Sequence, residues 1–197
     1  MIYTGLSRLY VAKYLYDGLL NKTAYNDGIC LGEAMDYTIN ITTSSTPLYT
    51  NNRKRGEIVS FSDGSVTHKA PDAKLDAGAY ISGITPIDYV MKDGSKIKKY
   101  GRSIEVQPPY LGFGTVYQTF DFDAKKYYYQ PIIVPKIQYQ ISSSSVTTQE
   151  DKITLTVPDL PAKVFVDDET REWIWEFDLQ ETEVAADTVI RKILGIE

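Results

Sequence analysis

Hydrophobic and polar residues alternate over much of this chain, which is the pattern of β-strands that bury one face. The clearest segment, residues 35–42, is apolar at every odd position and polar at every even one. A second alternating segment covers Ile58–Phe61 and resumes at residues 66–70 after the turn Ser62-Asp63-Gly64. These patterns predict two neighbouring strands.

The residues between these two strands are polar and include the basic sequence Arg53-Lys54-Arg55. Their composition predicts a long inter-strand loop at about residues 43–57. A compact domain rarely keeps a structureless connection of about 15 residues unless it binds something or is disordered. The loop is therefore the first candidate functional segment.

The rest of the chain adds more predicted strands than helices. A turn is predicted at Asn26-Asp27-Gly28, and Pro131 and Pro135 favour an edge position or a bulge for the strand that contains them. Predicted strands cover residues 6–16, 29–31, 87–91, 95–100, 110–122, 127–141, 153–157 and 173–177, and predicted helices cover about 71–81 and 181–194. The sequence therefore predicts a mainly β fold, an antiparallel sandwich or barrel with a flanking short helix and a C-terminal helix, in a single domain spanning residues 1–197.

Composition narrows the function classes. The net charge of −5 and the pI near 5.0 argue against a protein that grips nucleic acid over its whole surface. A single cysteine, Cys30, excludes an internal disulfide, and we expect it to be buried as a small hydrophobe. With no long apolar run and no signal-peptide pattern at the start, we expect a soluble, intracellular product without membrane contact.

The usual signatures of catalysis are missing from the sequence. His68 is the only histidine, and its place in a predicted strand favours a structural role. Cys30 has no second cysteine or histidine nearby with zinc-ligand spacing. The acidic clusters at 121–123 and 167–169 lack calcium-loop spacing, and Gly112-Phe113-Gly114 lacks the Lys-Ser/Thr of a phosphate loop. We therefore expect that the protein is not an enzyme and that it binds neither a metal ion nor a cofactor.

The order of segments along the chain carries a resemblance. Its residues are Gly5–Tyr14, Gly32-Glu33-Ala34, Gly64-Ser65-Val66, Pro109–Tyr117, Ile132–Ile137, Asp151–Pro158 and Trp173-Ile174-Trp175, followed by the C-terminal helix. In this order and local character the chain resembles the major tail protein family, the tail tube subunits of long-tailed bacteriophages.

The resemblance implies a structural virion protein. Its subunits would form hexameric rings, and the rings would stack into the hollow tail tube that conducts the genome into the host. Strands of neighbouring subunits would join into one inner barrel, and the long loop would reach toward the adjacent ring. Implied partners are other copies of the chain, a tape-measure protein, and tail terminator and baseplate proteins. DNA would pass without specific binding, and the tail would be assembled in the cytoplasm of the host bacterium.

Two groups of site residues follow as hypotheses. Six copies at −5 each would total −30 per ring, and an acidic or uncharged polar lining would limit sticking of DNA within the Debye length of about 8 Å. The candidate lumen residues are Asp36, Thr38, Asn40, Thr154 and Thr156. The candidate inter-ring contacts are Arg53, Lys54 and Arg55 on one ring and Asp167, Asp168 and Glu169 on the next.

Other interpretations stay open at this point. The candidate residues could equally be a solvated loop tip and ordinary solvated strand faces. The chain could also form the tube of a phage-tail-like particle, such as a bacteriocin or an injector. From a different class, a β-sandwich carbohydrate-binding module could use Trp173, Trp175 and Tyr127-Tyr128-Tyr129 as a sugar platform.

Overall fold

The computed structural model describes residues 2–51, 53–71, 74–103, 105–140, 157 and 159–196. Within these ranges the chain is mainly β, and every strand pair is antiparallel. The strands are β1 (Ile2–Leu6), β2 (Arg8–Asp17), β3 (Lys22–Glu33), β4 (Asp36–Thr50), β5 (Arg53–Lys69), β6 (Ile87–Val90), β7 (Lys96–Lys99), β8 (Tyr110–Asp121), β9 (Lys126–Tyr139), β10 (Leu160–Phe165) and β11 (Trp175–Glu176). The helices are α1 (Leu75–Ile81) and α2 (Glu183–Ile193). The predicted antiparallel, β-rich class with two helices is confirmed.

Nine of the described strands form one sheet in the order β3-β2-β8-β9-β10-β5-β4. β1 pairs with β8 beyond the end of β2, and the short β11 pairs with β9. β6 and β7 pair only with each other, as a separate two-stranded sheet. The two ends of the large sheet are therefore β3 and β4, which are consecutive in the chain.

The large sheet curls around its main hydrophobic core. Leu31 of β3 and the partly buried Tyr37 and Ile39 of β4 pack on one cluster, although their strands lie at opposite ends of the sheet. Phe113 of the central strand β8 is fully buried there, and the Tyr37 ring stacks on it with centroids 5.5 Å apart. The alternating pattern is thus confirmed from residue 37 onward, because Tyr37, Ile39 and Ile41 pack against this core, whereas Met35 is exposed.

The opposite face of the sheet carries the C-terminal helix. Ala186, Ile190 and Leu194 are fully buried and share a second cluster with residues of β2, β8 and β9. At Gly114 of β8 an added Cβ would lie 2.6 Å from Ile190 Cγ2, so the absent side chain permits the close approach. The Thr182 hydroxyl caps the helix by accepting a 3.2 Å hydrogen bond from the Ala185 N–H.

The expected loop at residues 43–57 is wrong. β4 and β5 stay paired from Asp36↔Lys69 to Thr50↔Arg53, so only two residues separate the paired ends of the two strands. Asn51 has a φ of 52°, a conformation that asparagine tolerates and short hairpin turns require. From residue 43 to residue 60 the described side chains of this hairpin are exposed on both faces, so this part of the sequence lacks the apolar–polar alternation by which a strand is recognised.

Other local predictions also need correction. The first hairpin turns at residues 18–21, whereas Asp27-Gly28 forms a bulge where the register with β2 shifts. β9 lies inside the sheet, and the register shift between its residues 134 and 137 places a bulge around Pro135. The helix α1 begins only at Leu75, and Trp173 lies before the short β11. β10 was not predicted, and the expected strand at 153–157 lies almost wholly outside the described residues.

Candidate assembly surfaces

The most exposed feature of the sheet is the outer part of the β4–β5 hairpin, residues 43–61, which we call the arm. β10 pairs with β5 only over Gly64–His68, so in the arm the two strands pair only with each other. Every described arm side chain from residue 43 to residue 60 is exposed. Seven residue steps from Thr43 to Thr50, at about 3.3 Å each, give the arm a reach of about 23 Å.

The arm exposes apolar side chains on both of its faces. The register places Ile58 opposite Thr46, and Leu48 opposite Gly56, on one face, while Val59 lies on the other. Ile58 is 57% exposed and Val59 60% exposed. Since an isolated two-stranded ribbon is marginally stable in water, these faces favour a partner that covers them.

The three predicted inter-ring cations lie at the tip of the arm. Arg53, Lys54 and Arg55 are all exposed. Lys54 donates to Glu57 at 2.9 Å, and hydrogen bonds from Ser45 and Lys54 lower the pKa of Glu57. The tip therefore presents positive charge to solvent. Its contact with a neighbouring ring stays a prediction.

The proposed acidic partners of the arm lie in a loop whose carboxylates already form hydrogen bonds within the subunit. Asp167 is 0% exposed and accepts hydrogen bonds from Thr23 Oγ1 at 2.7 Å, Tyr14 OH at 2.9 Å and Thr170 N at 2.7 Å. Burial alone would raise the pKa of Asp167, but the hydrogen bonds outweigh it and hold that pKa below its usual value. Asp167 therefore offers no surface to a neighbouring subunit.

The two residues that follow also have intrachain partners. Lys136 donates to Asp168 at 2.5 Å, and the backbone N–H of Thr23 donates to Glu169 at 2.6 Å. Together the three carboxylates fasten the loop to the β2–β3 hairpin and to β9. Of the three, only Glu169 is exposed enough to reach another subunit.

The described candidate lumen residues lie on one polar face of the sheet. Asp36, Thr38 and Asn40 are exposed on the face of β4 that points away from the core. The register continues this face from Asn40 through Ser65 and Lys163 to Gln138. Thr154 and Thr156 lie outside the described residues.

The charge of this face differs from the expected acidic or uncharged lining. Asp36 and Asp63 lie on it together with Lys69 and Lys163, so it is polar but mixed in sign. Lys69 also pairs with Asp159 at 3.5 Å. Whether this face lines a lumen stays a prediction.

The tryptophans do not form the platform that a sugar-binding module would need. Trp173 packs against the main core, whereas Trp175 packs against the cluster under α2. Both are partly buried, and the Trp175 ring lies edge-on to Tyr25 with centroids 6.3 Å apart. The two indoles therefore belong to different clusters and do not share one exposed surface.

The residues considered for catalysis or metal binding have structural surroundings. His68 is fully buried, stacks on Phe113 with centroids 5.0 Å apart, and hydrogen-bonds Tyr139 OH through Nε2 at 3.0 Å. Burial lowers the pKa of His68 to about 4. Cys30 is exposed, so its expected burial is wrong. In the described ranges no group of three or more His, Cys, Asp or Glu side chains is arranged to hold a metal ion.

Comparison with known proteins gives no family for this chain. No protein-family model matches the sequence, and no curated protein matches it significantly. Among the helices of the described ranges, none has the length and apolarity needed to cross a membrane.

Proposed function

We propose that this protein is a self-assembling structural subunit, a major tail protein whose copies form stacked hexameric rings and thereby the tail tube of a long-tailed bacteriophage. The observation that carries the proposal is the arm. It extends about 23 Å beyond the sheet, exposes apolar residues on both faces, and carries a basic tip. A ribbon of this kind is best explained by a binding surface on another subunit.

The two ends of the sheet support ring formation. Within the described part of the chain, β3 and β4 each pair with a single neighbouring strand and leave one edge open. Open edges invite pairing with another chain. Because the two edges belong to different strands, joining β3 of one copy to β4 of the next is a head-to-tail contact, which closes into a ring when the rotation between copies fits.

The polar face of the sheet supports a tube through which DNA passes. Its threonine, asparagine, serine and glutamine side chains carry no charge, and its charged side chains are of both signs, Asp36 and Asp63 against Lys69, Lys136 and Lys163. Such a surface neither attracts nor strongly repels a phosphate backbone. A tube of a phage-tail-like particle would use the same surfaces.

The test is microscopy of the purified protein combined with sedimentation velocity. The proposal expects rings or tubes of uniform diameter at high protein concentration, or after seeding with preformed tail tips. A protein that remains monomeric under both conditions, and that binds glycans with defined affinity, would contradict it and support the carbohydrate-binding alternative.

A further inference from the structure

The β6–β7 hairpin is a second exposed element, distinct from the arm. All of its strand residues are exposed, and its two strands pair with no other strand of the described residues. The register Ile87↔Lys99 and Tyr89↔Ile97 puts three large apolar side chains on one face. Lys99 lies on this face too, with its amine 5.9 Å from the centre of the Tyr89 ring. The hairpin thus combines an apolar face with positive charge.

Charge is unevenly distributed between this hairpin and the end of the chain. Residues 87–102 carry five cations and two carboxylates, a net charge of +3. Residues 167–187 carry nine carboxylates and one arginine, a net charge of −8. As the whole chain has a net charge of −5, all its other residues together sum to zero. One copy of the chain therefore carries two oppositely charged segments.

The acidic segment contains a groove whose chemistry matches the hairpin. The apolar residues that line it are Ile174, Trp175, Phe177 and Ile193. Glu172 and Glu176 line the same groove and are exposed. An apolar lining with carboxylates beside it is complementary to an apolar hairpin face that carries a lysine.

We propose that the β6–β7 hairpin of one copy of this chain docks into the groove at residues 170–177 of a second copy. Ile87, Tyr89 and Ile97 would cover the apolar part of the groove, while Lys99, on the same face, would approach Glu172 and Glu176. Hairpin and groove are different surfaces, so the contact is head-to-tail and extends from copy to copy. The inference deepens the proposed tube, since it rests on the premise that copies of this chain assemble.

A charge-swap experiment tests the contact. The variant Lys99→Glu and the variant Glu172→Lys/Glu176→Lys should each raise the concentration needed for assembly by at least about tenfold, because like charges then face each other. Combining all three substitutions in one chain should restore assembly. The matched control Lys22→Glu makes the same charge change as Lys99→Glu at an exposed position and should assemble like the wild type.

Disulfide trapping gives a readout that does not depend on tubes. In a Cys30→Ser background, a mixture of the Tyr89→Cys and Ile174→Cys variants should form a cross-linked dimer on mild oxidation, and each variant alone should not. Circular dichroism and thermal unfolding verify that every variant is folded.

The outcomes separate this inference from the proposed function. If both charge variants assemble at the same concentration as the wild type, the hairpin contact is overturned and the tube proposal stands. Absence of assembly by the wild type, together with absence of the cross-link, would overturn both. Loss of binding to duplex DNA in the Lys99→Glu variant, with assembly intact, would assign the hairpin to nucleic acid and overturn the contact.

Discussion

The exposed apolar residues of the arm allow the strength of its contact to be estimated. Ile58 and Val59 are 57% and 60% exposed in the subunit. Full burial of such a side chain contributes about 2 kcal/mol, so covering the exposed part of each contributes about 1 kcal/mol. The double variant Ile58→Ser/Val59→Ser should therefore weaken each arm contact by about 2 kcal/mol, close to thirtyfold in affinity.

The same estimate predicts what the variant leaves unchanged. Since the two side chains touch no core cluster, the free energy of unfolding of the free subunit should stay within about 0.5 kcal/mol of the wild type. Assembly is measured by sedimentation as a function of concentration, and stability by urea unfolding. The matched control is Leu19→Ser/Leu20→Ser, at side chains that are 98% and 73% exposed in the β2–β3 turn. Equal assembly of the two double variants would refute the role of the arm.

Three further predictions concern stability, and urea unfolding of each variant measures them. Burial lowers the pKa of His68 to about 4, against about 6.5 in the unfolded chain, so neutral His68 contributes fully to the free energy of unfolding above pH 6.5. The free energy of unfolding should fall by about 3 kcal/mol as the pH drops toward 4, and the His68→Gln variant should lack this part of the pH dependence. Ile190→Ala should cost about 3 kcal/mol by opening a cavity under α2, whereas Val184→Ala, at an exposed position of the same helix, should cost under about 0.5 kcal/mol. Asp167→Ala should cost about 1–3 kcal/mol, because partly buried donors lose their acceptor, and a value near zero would contradict the role of Asp167 in fastening the loop.

Where burial differs between the two faces of an element, the sequence was a good guide. Three of the four odd positions of residues 35–42 face the core, Met35 being exposed, and the apolar side of α2 packs on the sheet. Gly83 follows the last turn of α1 with a φ of 70°, a conformation that glycine adopts without strain. In each case one local physical requirement, burial or backbone conformation, determines the residue.

The elements that the sequence did not reveal lack such a requirement. The arm has no buried face, so its strands carry polar and apolar residues without order. The prolines of β9 suggested an edge, but a bulge at Pro135 accommodates one of them inside the sheet. The groove at residues 170–177 combines side chains that become a surface only when β11 and α2 pack on the sheet. The net positive charge of residues 87–102, by contrast, can be counted from the sequence, but only the structure shows that the β6–β7 hairpin is exposed.

The two hairpins to which we assign contacts between copies lie outside the core clusters, and this separation determines what the experiments can show. The core clusters are built from β2, β3, β5, β8, β9, β10, the start of β4 and the two helices. The arm beyond residue 42 and the β6–β7 hairpin contribute nothing to them. Substitutions on these two hairpins can therefore abolish contacts between copies while the subunit stays folded. A variant that loses stability and assembly together reports on the core, whereas one that loses assembly alone identifies a contact surface.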